Sequence, residues 1–209
     1  ELIYANAFEI IGNDEKTIFL GGDQSMSCHI GKAFMEVSNL ENREPFLIVF
    51  DAHSDCKQTE IIPKNTQWLR KLVEEGFPTK NIILIGLRSS TIEENEFLVR
   101  NNIRVYNMKD LNEFEEICDI VMELSRKNEI YVSIDIDVVD SVFVPGTNNP
   151  ESAGLTTRQL IYFVQRLNLL ENLRVVDITE INPEKDINLQ TVKLGSKILG
   201  ELIVSGKRI

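Results

Sequence analysis

The stretch Ile130-Tyr131-Val132-Ser133-Ile134-Asp135-Ile136-Asp137-Val138-Val139-Asp140 is the most β-prone in the chain, and it ends in acid. Ile, Val and Tyr favour a pleated, buried strand, expected over residues 130–136. Alternation then sends Ile134 and Ile136 to one face and Asp135 and Asp137 to the other. Two like charges on adjacent same-face positions at an apolar strand end are costly without a counter-ion, which a divalent cation would supply. Outward from this run, further apolar segments predict strands at residues 17–21, 46–50, 82–85, 103–106 and 174–179. Helical segments fall between them, near 25–38, 66–76, 91–101, 110–126, 157–167 and 188–204. Strands alternating with helices predict an α/β fold, one three-layer domain over residues 1–209 with a mostly parallel sheet. In such sheets ligands bind beyond the carboxyl ends of the strands, so residues just after each strand are the functional candidates.

Composition narrows the classes. With 209 residues, 43% hydrophobic and 26% charged, the chain has the balance of an ordinary folded domain. No apolar run reaches the roughly 20 residues of a membrane helix, and none reads as a signal peptide, so the expectation is a cytoplasmic protein without a membrane partner. Its 33 acidic against 22 basic residues, net −11, argue against nucleic acid as a partner and accommodate a cationic ligand. Cys28, Cys56 and Cys118 form no C-x-x-C pair and read as reduced thiols.

A second acidic strand end follows residues 46–50. Asp51-Ala52-His53-Ser54-Asp55 places carboxylate, imidazole and carboxylate at alternate positions, and an extended backbone would project all three to one side. One Asp-x-Asp is common. Two acidic strand ends in one small parallel sheet point much more specifically to metal. Gly21-Gly22-Asp23-Gln24-Ser25 follows the first strand and precedes a helix; it lacks the Lys-Ser/Thr of a phosphate loop and the third glycine of a dinucleotide fingerprint, and by itself reads as a tight turn. A calcineurin-type phosphoesterase would need more His ligands than the two present, His29 and His53, and a haloacid-dehalogenase-type phosphatase would need a hydroxyl residue where Val139 stands.

In order and spacing these three segments resemble the Gly-Gly-Asp-His-Ser, Asp-Ala-His-x-Asp and Ser-x-Asp-x-Asp signatures of the ureohydrolases, the arginase, agmatinase and formiminoglutamase family. Ile85-Gly86-Leu87-Arg88, the loop from Val144-Pro145-Gly146-Thr147 to Gly154-Leu155-Thr156, and Val176-Asp177-Ile178-Thr179-Glu180-Ile181-Asn182-Pro183 are similar to further family segments. The resemblance implies two divalent ions, Mn²⁺ by family habit and by the hard oxygen ligands. Asp51 and Asp135 would bridge them, with Asp55 and Gln24 completing one site and His53 and Asp137 the other. It implies a hydroxide nucleophile oriented by Asp55, a small cationic guanidino or amidino substrate gripped by Glu180, and a homo-oligomer, trimer or hexamer.

The chain departs from the pattern at two places. Gln24 stands where the family has a ligand His, and Asn65 falls where a further family His would serve. It also begins closer to its first motif than family members do. Loops near residues 56–63 and 89–95, which by resemblance would read the far end of the substrate, match no assignable specificity pattern. The expected function is hydrolysis of a linear guanidine or amidine C–N bond. The alternative is a homologue that has lost catalysis and serves as a metal- or ligand-binding subunit. His29 and Cys56 read as structural.

Overall fold

The computed structural model describes residues 2–204. Six strands, β1 (Thr17–Leu20), β2 (Pro45–Phe50), β3 (Ile82–Leu87), β4 (Arg104–Asn107), β5 (Glu129–Asp135) and β6 (Leu173–Thr179), form one sheet in the order β1-β6-β5-β2-β3-β4. Every pairing is parallel. Seven helices accompany them: α1 (Leu2–Asn13), α2 (Ser25–Leu40), α3 (Trp68–Glu74), α4 (Ile92–Arg100), α5 (Phe114–Ser125), α6 (Thr157–Leu167) and α7 (Gln190–Ile203).

Strand alternation splits the core into two. Phe46, Ile48 and Phe50 of β2 and Ile130, Val132 and Ile134 of β5 face α5, α6 and α7, whereas Leu47, Val49 and Tyr131 face α1 to α4. The central strands are buried at every position, as a sheet covered on both faces requires. The three-layer α/β expectation therefore holds.

Strand order places the site. From β2 the chain moves to β3 and β4 on one side, and from β5 to β6 on the other, so the connections leaving adjacent β2 and β5 run in opposite directions from their carboxyl ends. Such a divergence opens a crevice. Phe50 pairs with Ile134, so Asp51 and Asp135 leave the sheet side by side; Asp135 in turn pairs with Thr179, which precedes Glu180.

Two local expectations need correction. The strand ends at Asp135, and Ile136–Val138 form a 3-10 turn in which the Asp137 N–H donates to Asp135 Oδ1 at 2.8 Å. The two carboxylates are thus a turn's cap and its interior, not neighbours along a pleat. Residues 51–55 are not extended throughout either, since Asp55 has φ of 49°. The sequence reading also missed α1, whose Ala7 and Ile11 are buried.

Candidate metal centre

Asp51, His53 and Asp137 offer ligand atoms that lie within 4.8 Å of one another. His53 Nδ1 is 3.0 Å from Asp137 Oδ2 and 3.5 Å from Asp51 Oδ1, and its Nε2 is 3.4 Å from Glu151 Oε1. Backbone donors fix the acids: the Ala52 N–H reaches Asp137 Oδ1 at 3.1 Å and the His53 N–H reaches Asp51 Oδ1 at 2.6 Å. Asp55 and Asp135 join His53 and Asp137 in lining a cavity of about 450 Å³. All four aspartates are buried.

Electrostatics describe a site short of positive charge. Burial, with the charge of Asp137, pushes Asp51 up to about 7; burial and neighbouring acids hold Asp55 and Asp135 well above the ordinary carboxylate range. Burial alone would lower His53, but its hydrogen bonds to Asp137 and Asp51 outweigh this and carry it up to about 11. Glu180 is the other left-handed residue here, with φ of 62°, its N–H donating to the Gly22 carbonyl at 2.8 Å. Its Oε1 accepts from the Gln24 N–H at 3.0 Å and from Asn65 Nδ2 at 3.3 Å. Strained backbone of this kind persists where surroundings impose it, and it clusters at functional sites.

Gln24 is fully buried, with Nε2 held 3.4 Å from Ser133 Oγ. Ser133 lies 3.0 Å from Asp177 Oδ1, and Asp177 also receives Ser27 and Tyr131 hydroxyls. With the Ser133 proton directed to Asp177, the serine lone pair takes the Gln24 amide N–H, which leaves Gln24 Oε1 outward from that network. Gln24 Oε1 and Asp51 Oδ2 are buried and have no hydrogen-bond partner. Orphaned buried acceptors of this kind are rare and call for an ion or water. Both are hard oxygens, so the residues present fit divalent ions.

The expected ligands Asp51, His53, Asp55, Asp135 and Asp137 are therefore brought into one crevice. Gln24 reaches it through Glu180 and Ser133. Glu180 is buried and held by the Gln24 N–H and the Asn65 amide. His29 sits partly buried on α2 and Cys56 is fully buried, its thiol raised by burial, so neither departs from its structural reading. Arg88 is a residue whose role was missed. Its guanidinium donates to the carbonyls of Asp137 at 2.7 Å, Glu151 at 3.0 Å and Ser152 at 2.9 Å, clipping both loops that carry site residues to the end of β3. Its matched position after Gly86 was the available signal. Gly86 has φ of 98°, and a Cβ there would come within 2.5 Å of the Val138 side chain.

The arginase family model matches residues 1–205. The chain is 29% identical over 180 residues to an uncharacterized 32.2 kDa protein of Methanothermus fervidus, covering 85% of this chain and 59% of that protein. It is 29% identical to an agmatinase of Bacillus subtilis, with coverage of 88% and 62%. The chain thus spans about three fifths of the length of these curated relatives. Among solved structures, a formimidoylglutamase from Bacillus subtilis superposes with a TM-score of 0.86 at 24% identity, covering 96% of this chain and 64% of that one. An arginase from Bacillus caldovelox gives 0.86 at 21% identity, with coverage of 100% and 74%. With the family model matched along the chain and this fold shared, the chain belongs to the arginase family.

Proposed function

We propose that this chain is a binuclear metal hydrolase that cleaves a C–N bond of a linear guanidine or amidine, in the manner of an agmatinase or arginase. The observation that carries the proposal is the pair of orphaned oxygens, Gln24 Oε1 and Asp51 Oδ2, together with the upward shift that burial gives Asp51, Asp55 and Asp135. Two divalent ions, Mn²⁺ by ligand chemistry, would supply the missing charge and acidify a water. Asp51, His53, Asp55, Asp135, Asp137 and Gln24 would hold them.

The chain's own groups do the rest. Asp55, whose carboxylate lines the cavity, accepts a hydrogen bond from the attacking oxygen and can pass the proton to the departing amine. Both hydrogen bonds to Glu180 fall on Oε1, which leaves Oε2 for a guanidinium N–H. Asn65, at the place of the second family His, cannot shuttle a proton; here its amide braces Glu180. Water adds to the central carbon, the carbon–amine bond breaks, and the amine leaves together with urea from a guanidine or the corresponding amide from an amidine.

The second reading, a metal- or ligand-binding relic, is favoured by Gln24 and Asn65 together. Metal analysis of the purified protein, beside assays for urea or formamide release from agmatine, arginine, guanidinobutyrate and formiminoglutamate, separates the two. Two ions per chain with turnover of any of these supports the enzyme; two ions without turnover of any supports the relic.

A further inference from the structure

We propose that Glu151 is a positioning residue for His53: its carboxylate accepts the Nε2 proton of the imidazole and so presents Nδ1 to the metal ion. The inference rests on the metal-holding part of the reading above and not on turnover, so it applies to enzyme and relic alike.

The two ring nitrogens of His53 face different surroundings. Nδ1 lies 3.0 Å from Asp137 Oδ2 and 3.5 Å from Asp51 Oδ1, the carboxylates with which it forms a candidate ligand set, whereas Nε2 meets Glu151 Oε1 at 3.4 Å. The backbone fixes where the ring starts: the His53 N–H donates to Asp51 Oδ1 at 2.6 Å, and His53 bridges to Ser89, just beyond the end of β3. An ion between Asp51 and Asp137 takes the lone pair of Nδ1, and the one remaining ring proton then sits on Nε2. A metal-bound imidazole donates that proton to an acceptor, and a carboxylate in this place fixes the ring and makes the other nitrogen a better ligand. Glu151 is the one carboxylate that Nε2 meets among the described residues.

Backbone contacts put Glu151 there. Its carbonyl accepts from the Ser141 N–H at 3.1 Å and from Arg88 Nη2 at 3.0 Å, and Arg88 Nε holds the next carbonyl, that of Ser152, at 2.9 Å. The same Nη2 takes the Asp137 carbonyl at 2.7 Å, so one guanidinium seats the residues on either side of the His53 ring. Asp140 closes the loop by accepting from the Val142 N–H at 3.0 Å and the Gly154 N–H at 3.2 Å. A Cβ on Gly154 would stand 2.6 Å from the Asp140 nitrogen, so the loop returns this closely only on a glycine. None of these bonds uses the Glu151 carboxylate, which makes no ion pair besides that with His53. A role confined to holding the loop would need only the carbonyl. The Glu151 side chain is 36% exposed and can turn, and a small rotation brings the 3.4 Å contact to the roughly 2.8 Å of a charge-assisted hydrogen bond.

Calorimetric titration of Mn²⁺ into metal-free protein gives the first test. Glu151→Ala should weaken one of the two ions by about tenfold, the low end for such an acceptor because His53 and Glu151 are both partly exposed. Glu151→Gln keeps an acceptor without the charge and should weaken the same ion by about threefold. The ion completed by Gln24 and Asp55 should keep its affinity. The ring proton is the readout that a merely structural role would not move. With Zn²⁺ in place of Mn²⁺, ¹⁵N-labelled histidine gives two ring spectra, from His29 and His53, and His29→Gln identifies them. In the parent, His53 should be the Nε2–H tautomer with a slowly exchanging proton. That proton should persist in Glu151→Gln and be lost to exchange with water in Glu151→Ala. An Nδ1–H tautomer in the parent, equal weakening of both ions, or a weakened ion whose ring proton stays protected in Glu151→Ala overturns the inference. A parent that binds no ion at His53 overturns the metal reading and this inference with it, whereas two ions bound equally well by parent and Glu151→Ala overturn this inference alone.

Discussion

At the amino end of β5, Glu129 is met by Arg43, by Arg174 Nη1 at 3.2 Å and by Ser38 at 3.5 Å, while Glu41 beside it takes Arg174 at 2.6 Å and 2.9 Å. At the carboxyl end of the same strand, Asp135 shares its surroundings with Asp51, Asp55 and Asp137 and a single imidazole. Each end of β5 buries a carboxylate, Glu129 at one and Asp135 at the other, and Glu41 at the end of α2 is an exposed neighbour of the first. The first is compensated by covalently attached cations, and the hydrogen bond from Arg174 holds Glu41 below the usual carboxylate range. In the second, burial drives the acids upward. The chain can bury acid with its own counter-charge, and it does so at one end. At the other it leaves two acceptors orphaned, which marks that end as built for charge from outside the chain.

The largest expected effect breaks this comparison directly. Asp135→Asn should lower metal stoichiometry below two per chain and reduce any turnover by about 10³-fold or more, the scale of losing a group aimed at developing charge. In metal-free protein at neutral pH the same change should raise the melting temperature, because it removes a buried, uncompensated acid. Glu129→Gln should do the opposite and cost about 1–3 kcal/mol, since it strips a buried partner from Arg174. Thermal unfolding with and without Mn²⁺, plus metal analysis, reads all four arms. Asp135→Asn with an unchanged metal count would remove the shared-metal picture.

A pH series sharpens the same contrast. Between about pH 4 and 7 the unfolded chain has shed protons that the metal-free fold keeps on Asp51, Asp55 and Asp135, so their contribution to stability falls as pH rises. His53 adds stability that is full below its unfolded value and lost as pH climbs through about 11. Glu41 runs the other way: its contribution is present at neutral pH and lost as pH falls through its lowered value. Mn²⁺ displaces the protons of the first group, so the rise in melting temperature on adding it should be small at pH 5 and grow toward pH 8. A Mn²⁺ effect of constant size across that range would contradict it.

The sheet was legible in the sequence because burial on both faces writes continuous Ile, Val, Leu and Phe runs, and each of the six observed strands lies within two residues of its expected bounds. The acids were legible because each follows such a run. Their geometry was not. Period-2 alternation cannot reveal that Asp137 sits in a 3-10 turn capped by Asp135, or that Asp55 adopts left-handed φ, since hydrogen bonds to loop backbone decide both. Nor could spacing show that Asn65 and the Gln24 N–H converge on Glu180 from segments 115 and 156 residues away. Arg88 was matched without its function, because what it clips lies 49 to 64 residues along the chain.

Glu180 should separate substrate binding from metal binding. Glu180→Gln keeps shape and loses charge, so kcat/KM on a guanidino substrate should fall by about 10²-fold, the value of a charge-assisted hydrogen bond, with two metals retained. Equal turnover of variant and parent would remove Glu180 from this role.

Gln24 should give the smallest change and the most informative one. Its amide is oriented by a relay, from Asp177 through Ser133 to Nε2, that leaves Oε1 buried and without a hydrogen-bond partner. An amide oxygen is a weaker donor to Mn²⁺ than an imidazole, so the ion it holds should be the first lost on dilution. Gln24→His offers Ser133 a ring N–H in place of the amide and the metal a better donor, and about tenfold tighter binding of that ion is expected by calorimetry. If turnover is limited by occupancy, the variant needs less Mn²⁺ for half-maximal rate while the saturated rate stays within about twofold. If Asn65 is the limit, Gln24→His gains metal and no activity, and the double change with Asn65→His gains both. Unchanged Mn²⁺ affinity in Gln24→His would show that Gln24 is no ligand, and the orphaned oxygen would then need another partner.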